Sequence, residues 1–128
     1  MESDPVAGTV AASAGQSRAV VVAALLCGYA QGAEGTAHRC EAKDDVYGQT
    51  LARSRAQVYR EAAELVRTMA LADAAAEMMR RATQASVRTP PLIDFDAAGV
   101  RYLTGRAWQF CAWQIDPALP EVAPSWGR

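Results

Sequence analysis

Arg53, Arg60 and Arg67 recur at intervals of seven residues, and Glu34 and Glu41 share that interval shortly before them. Seven residues is close to two helical turns, so each set runs along one stripe of a helix. If the chain reverses near residues 46–48, Glu41 comes beside Arg53 and Glu34 beside Arg60. That register describes an antiparallel helical hairpin. It constrains the fold more than any other feature, and it says nothing of chemistry.

At 128 residues the chain fits one domain, and 51% hydrophobic residues suffice for a packed core. The formal net charge is -1, which gives no overall attraction to nucleic acid or anionic lipid. The charge is placed unevenly. Residues 1–52 carry three basic and six acidic groups, and residues 53–106 carry nine basic and six acidic ones. Two helices of opposite sign that attract each other explain this asymmetry, and interleaved acids argue against a phosphate-binding surface. Arg outnumbers Lys twelve to one and Ala is abundant. GC-rich coding accounts for both, and points to a high-GC bacterium or its mobile elements as source.

Residues 1–16 are mostly Gly, Ala, Ser and Val without a sustained period, and are expected as a flexible tail. Residues 17–115 are expected as a single helical domain. Ser17 suits a helix N-cap, and Val22, Leu26, Tyr29, Ala33, Ala37 and Cys40 follow it at helical steps. Gly28, Gly32 and Gly35 interrupt this helix at about 1 kcal/mol each relative to Ala. Gly28 and Gly32 share a face, which suits either a weak helix or close approach of a partner helix. Asp44 or Asp45 is expected to cap the next helix after a turn at residues 44–48. The competing reading is one unbroken helix from Ser17 to Met69, which needs a partner chain to cover its stripe.

The second stripe is Tyr47, Leu51, Val58, Ala62, Leu65, Met69 and Ala72. Helix-forming residues continue to Ser86, either as an extension or as a third helix begun near Asp73. Pro90 and Pro91 end that stretch. Asp94 or Asp96 caps a last helix reaching Gln114, with Val100, Leu103, Ala107 and Phe110 on its stripe. Trp108 and Trp113 fall off that stripe, so this helix is either deeply packed or offers a patch to a partner. Residues 116–128 hold three prolines and are expected as an irregular tail, with Trp126 free to fold back or dock elsewhere. The expected fold is all-α: an antiparallel hairpin packed with one or two further helices. Its expected core includes Val22, Leu26, Tyr29, Leu51, Val58, Leu65, Met69 and Phe110.

Chemistry is sparse. Cys27, His38, Cys40 and Cys111 are the soft metal ligands, but His38 and Cys40 point about 200° apart on a helix and no C-x-x-C pair exists. His38 is the sole histidine, and no strand-turn-helix elbow surrounds a Ser or Cys. The glycines at 28–35 lack the Lys-Ser or Lys-Thr of a phosphate loop. No catalytic, cofactor-binding or metal-binding residue is therefore assigned. The expectation is a non-enzymatic interaction or accessory protein, cytoplasmic, with a protein partner or itself as partner. Gly28, Gly32, Trp108 and Trp113 are its candidate interface residues. No small-molecule substrate, cofactor or membrane span is implied, since the apolar run at 19–27 is about half a span.

Two alternatives remain open. Residues 19–30 resemble a secretory signal cleaved after Ala30, which would leave Cys40 and Cys111 as a pair able to bridge. Arg80, Arg81 and Arg88 form the basic cluster that a nucleic-acid accessory protein would use.

Overall fold

The computed structural model describes the backbone of residues 3–87 and 95–122, and the side chains of residues 17–85 and 99–122. Four helices and no strand are present among them: α1 (Ser3–Ala42), α2 (Val46–Thr68), α3 (Leu71–Val87) and α4 (Phe95–Ile115). The fold is all-α, as the periodicity predicts. α2 is the central helix, packed against α1 on one side and α4 on the other, with α3 lying chiefly on α4. Two antiparallel hairpins thus sit side by side.

The first hairpin has the register set by the charge stripes. Arg53 reaches Glu41 at 3.8 Å, and Arg60 pairs with Glu34. The third rung brings Arg67 to Cys27, with its guanidinium donating to Sγ at 3.3 Å. Exposed ion pairs of this kind add a few tenths of a kcal/mol each. They choose the register, and burial of the seam stabilises it.

The turn is shorter than residues 44–48. Asp44 takes the left-handed conformation at φ 56°, its N–H donates to Glu41 O at 3.1 Å, and Asp45 N–H donates to Cys40 O at 2.8 Å. These two bonds make a Schellman C-cap, in which Gly is the usual left-handed residue. Asp tolerates that conformation better than most residues, though not without cost. Asp45 then caps α2, its Oδ1 accepting from Gly48 N–H at 2.9 Å. The unbroken helix from Ser17 to Met69 is therefore not the arrangement of this chain.

Other boundaries differ from those read in the sequence. α1 begins at Ser3, so Ser17 lies inside it and is no cap. Pro5 stands in the first turn, where no backbone donor is needed, and the next proline is Pro90. α2 ends at Met69, which is extended (φ -130°, ψ 160°) and donates back to Leu65 O. α3 is then a separate helix with Asp73 in its first turn, where a negative charge suits the helix dipole. Pro90, Pro91, Asp94 and Trp126 lie outside the described residues.

The buried face of α2 is rotated from the expected stripe. It comprises Ala52, Ala56, Val58, Ala62, Ala63 and Val66. Ala56 and Val66 line α1, beside Ala37 and Ala23 respectively, while Val58 faces Trp108 of α4. A stripe of Ala on both partners lets α1 and α2 approach closely. The larger residues at the ends of the expected stripe are left out: Tyr47 and Met69 are about 40% exposed. Met69 is therefore not a core residue, and Leu51 is only half-buried. Val22, Leu26 and Val58 are buried as expected; Tyr29 and Leu65 pack against the core from its edge.

Tyr29, Tyr59 and Phe110 meet where α1, α2 and α4 converge, with ring centroids 5.1–6.2 Å apart. Two of the three contacts are edge-on, the arrangement that ring quadrupoles favour. Burial raises the Tyr59 hydroxyl above its ordinary pKa, with smaller contributions from Cys111 and Tyr29 against an opposing one from Arg55.

Candidate interaction surface

Residues 19–33 carry no charged side chain. In a hairpin one side of such a helix meets its partner and the other meets solvent. Val22, Ala23, Leu26 and Ala30 take the inner side and are buried. Val20, Val21 and Leu25 take the outer side, 68%, 65% and 42% exposed. A Cβ added at Gly28 or Gly32 meets nothing within 4 Å, so these glycines extend the same open face. Close approach of a helix at Gly28 and Gly32, one of the two readings of this pair, is not made by the chain's own helices among the described residues. The α1–α2 contact runs through Ala instead. A groove of about 420 Å³ borders the apolar face, lined by Ala19, Val20, Ala23, Ala24, Val66 and Arg67.

The two tryptophans turn inward. Trp108 is 5% exposed, with Arg81 stacked over its ring at 4.8 Å. Trp113 is half-buried, its Nε1 donates to Leu119 O at 2.9 Å, and Arg106 lies over its ring. The pair offers no open patch, because α4 is covered on several sides. α2 and α3 flank it, and the chain after Ile115 folds back along it. Asp116 nucleates that return, accepting from Ala118 N–H at 3.0 Å. Buried Gln109 holds its far end, Oε1 accepting from Val122 N–H at 3.0 Å and Nε2 donating to the thioether Sδ of Met79 at 3.2 Å. Sequence reasoning missed Gln109, since nothing in its spacing separates a buried glutamine from a solvated one. It also missed Val20, Val21 and Leu25 as surface. Their signal was the charge-free run itself, too apolar all round for one helical neighbour to cover.

The chemically active side chains are dispersed. His38 is exposed beside Glu41, 3.9 Å away. Among the described residues no three His, Cys, Asp or Glu side chains stand together as a metal site would require. Cys40 lies against Gly48, while Cys111 is near Tyr59, about 16 Å further along α2 at 1.5 Å per residue. A disulfide requires Cα atoms within about 7 Å, so this fold does not join them. Cleavage after Ala30 would also remove Val22, Ala23 and Leu26, which this fold uses as core.

The basic cluster is internally matched. Glu77 accepts from Arg80 and Arg81, and those hydrogen bonds pull its carboxyl down to about 2. Arg81 also approaches Glu61 of α2 at 4.0 Å. Arg88 lies outside the described residues. Among the described residues no helix is long and apolar enough to cross a membrane.

Burial pushes the Cys111 thiol up to about 12. Two outcomes are expected. Native protein titrated with a thiol reagent reacts quickly at Cys27 and Cys40 and reacts at Cys111 only on unfolding. The contribution of this thiol to stability is level below pH 9 and is lost as pH rises from 9 towards 12, because the unfolded chain ionises it and the folded one does not. The slope approaches about 1.4 kcal/mol per pH unit. Urea midpoints across that range check it, and Cys111→Ala removes this contribution while leaving that of Tyr59.

No known protein family, curated protein or solved structure matches this chain.

Proposed function

We propose that this is a non-enzymatic interaction protein of a high-GC bacterium or its mobile element, whose docking element is the outer face of α1. The observation that carries this reading is the exposed, charge-free strip from Val20 to Gly32, with three large apolar side chains and two open glycines. Contiguous exposed apolar surface in a small domain is costly unless a partner covers it. The strip fits an apolar helix, because the glycines permit close backbone approach and no charge has to be desolvated. A second copy of the chain supplies such a helix, and so does a heterologous protein. The reading places the protein in the cytoplasm, consistent with three free cysteines.

Neither alternative gains a specific observation. The exported form would forgo core residues, and the nucleic-acid form would rely on Arg80 and Arg81, which Glu77 already engages.

The test is the mass by light scattering over a concentration series, for the native chain and for V21K/L25E. The paired charges sit on exposed positions four residues apart, so the stability of the monomer should move by no more than about 0.5 kcal/mol. Association of the native chain that the variant loses supports the reading. Association unchanged by the variant, or a native monomer at every concentration whose captured partners the variant retains, overturns it.

A further inference from the structure

We propose that the partner on the outer face of α1 is a second copy of this chain, whose own α1 lies antiparallel to the first about a two-fold axis near residue 26. The inference rests on the reading of that face as the docking element and names its occupant.

The first observation is that the face has a raised half and a hollow half. Val20, Val21 and Leu25 stand out from the N-terminal half, 68%, 65% and 42% exposed. Gly28, Gln31, Gly32 and Gly35 form the C-terminal half. Residues at i, i+3, i+4 and i+7 of a helix bound one hole, the kind that receives a knob from a facing helix. Three of these four are Gly. A Cβ at Gly28 or Gly32 meets nothing within 4 Å, and at Gly35 it meets the far end of the Arg39 side chain at 3.4 Å. The hole is open, and its floor is backbone.

The second is that knob and hole face the same way. At about 100° per residue, Gly28 lies about 20° round the helix from Val21, and the centre of the hole about 30°. Leu25 lies about 40° to the other side of Val21. A single facing helix therefore meets all of them.

The third is that their spacing suits two-fold symmetry. The hole is centred between residues 31 and 32, so residue 26 lies midway between it and Val21. Rotation about an axis there puts Val21 of each copy into the hole of the other. It also brings Leu25 beside its counterpart on the same flank. An interface between identical copies is self-complementary in this sense, each contact being made twice. A parallel copy would set knob on knob and leave both holes empty. No residue from 19 to 33 is charged, so the contact buries no charge.

The footprint sets the strength. From Ser17 to Gly35 the strip is about 27 Å long and about 10 Å wide. A strip of that size falls short of the roughly 800 Å² that each partner contributes to a stable complex. The dimer is therefore weak and follows protein concentration.

The native chain should show a monomer–dimer equilibrium across a light-scattering concentration series. Gly32→Leu fills the hole from open space, so it should raise the dimer dissociation constant at least tenfold while helix content is retained. Register is tested with Val21→Lys and Gly32→Glu, both at exposed positions. Each alone should weaken the homodimer. Mixed at equal concentration, the antiparallel arrangement sets the new ammonium over the new carboxylate, and heterodimer should outnumber both homodimers together by native mass spectrometry. A statistical mixture overturns the proposal. So does a native chain that stays monomeric while V21K/L25E loses a partner that the native chain captures, an outcome that leaves the docking face itself standing. A dimer indifferent to both V21K/L25E and Gly32→Leu overturns the face and its occupant together.

Discussion

Trp108→Ala should lower the unfolding free energy by about 3–5 kcal/mol, the range for deleting a buried Trp. Trp108 is 5% exposed and stands between Val58 of α2 and Arg81 of α3. Its loss opens a void at the junction of the two hairpins. It also leaves the Arg81 guanidinium without the ring it stacks on. Helices hold their backbone hydrogen bonds and cannot close in around such a void without shifting as units, so the cost should sit high in the range. For a domain of this size, several kcal/mol is a large fraction of total stability. Urea denaturation with an unchanged slope gives the number. A Trp108→Ala chain with native stability but impaired association would instead place this ring at an interface, contrary to its burial.

Leu26→Ala should cost about 2–5 kcal/mol, whereas Leu25→Ala, one residue away, should cost less than about 1 kcal/mol. Leu26 is fully buried and Leu25 is 42% exposed. Leu26 belongs to the one core cluster to which all four helices contribute. The same cluster is rich in Ala, including Ala62 and Ala63 of α2, whose short side chains are poorly able to fill the space it leaves. The contrast between adjacent leucines tests both the phase of α1 and its membership of the folded domain. If residues up to Ala30 were a removable leader, the two substitutions would have equally small effects on the mature protein.

The candidate surface was legible in part. Gly28 and Gly32 stand out in the sequence because they weaken a helix without terminating it, and both prove to lie on an open face. Trp108 and Trp113 stand out because they leave the stripe of α4. Periodicity reports how many sides of a helix are apolar, but not what covers them. Here α3 covers one side, and the returning segment at Leu119 and Val122 covers another. The far end of that return is held by one buried amide, Gln109, and a single amide has no periodic signature.

By itself the sequence determined that this chain is helical and, given a reversal near residues 46–48, which residues stand opposite one another; that the chain does reverse there was decided by the structure. Helical steps follow from 3.6 residues per turn, and with a reversal near residues 46–48 the seven-residue spacing sets Glu41 beside Arg53 and Glu34 beside Arg60. Only the tertiary structure decided the break at Met69 and Ala70, where neither Gly nor Pro marks an end and α3 turns to pack on α4. It also decided the face that α2 buries. Propensity and spacing are local, and they favour the stripe with the largest side chains. Close packing of two helices favours the smallest, so Ala52, Ala56 and Ala63 went inside while Tyr47 and Met69 stayed at the surface.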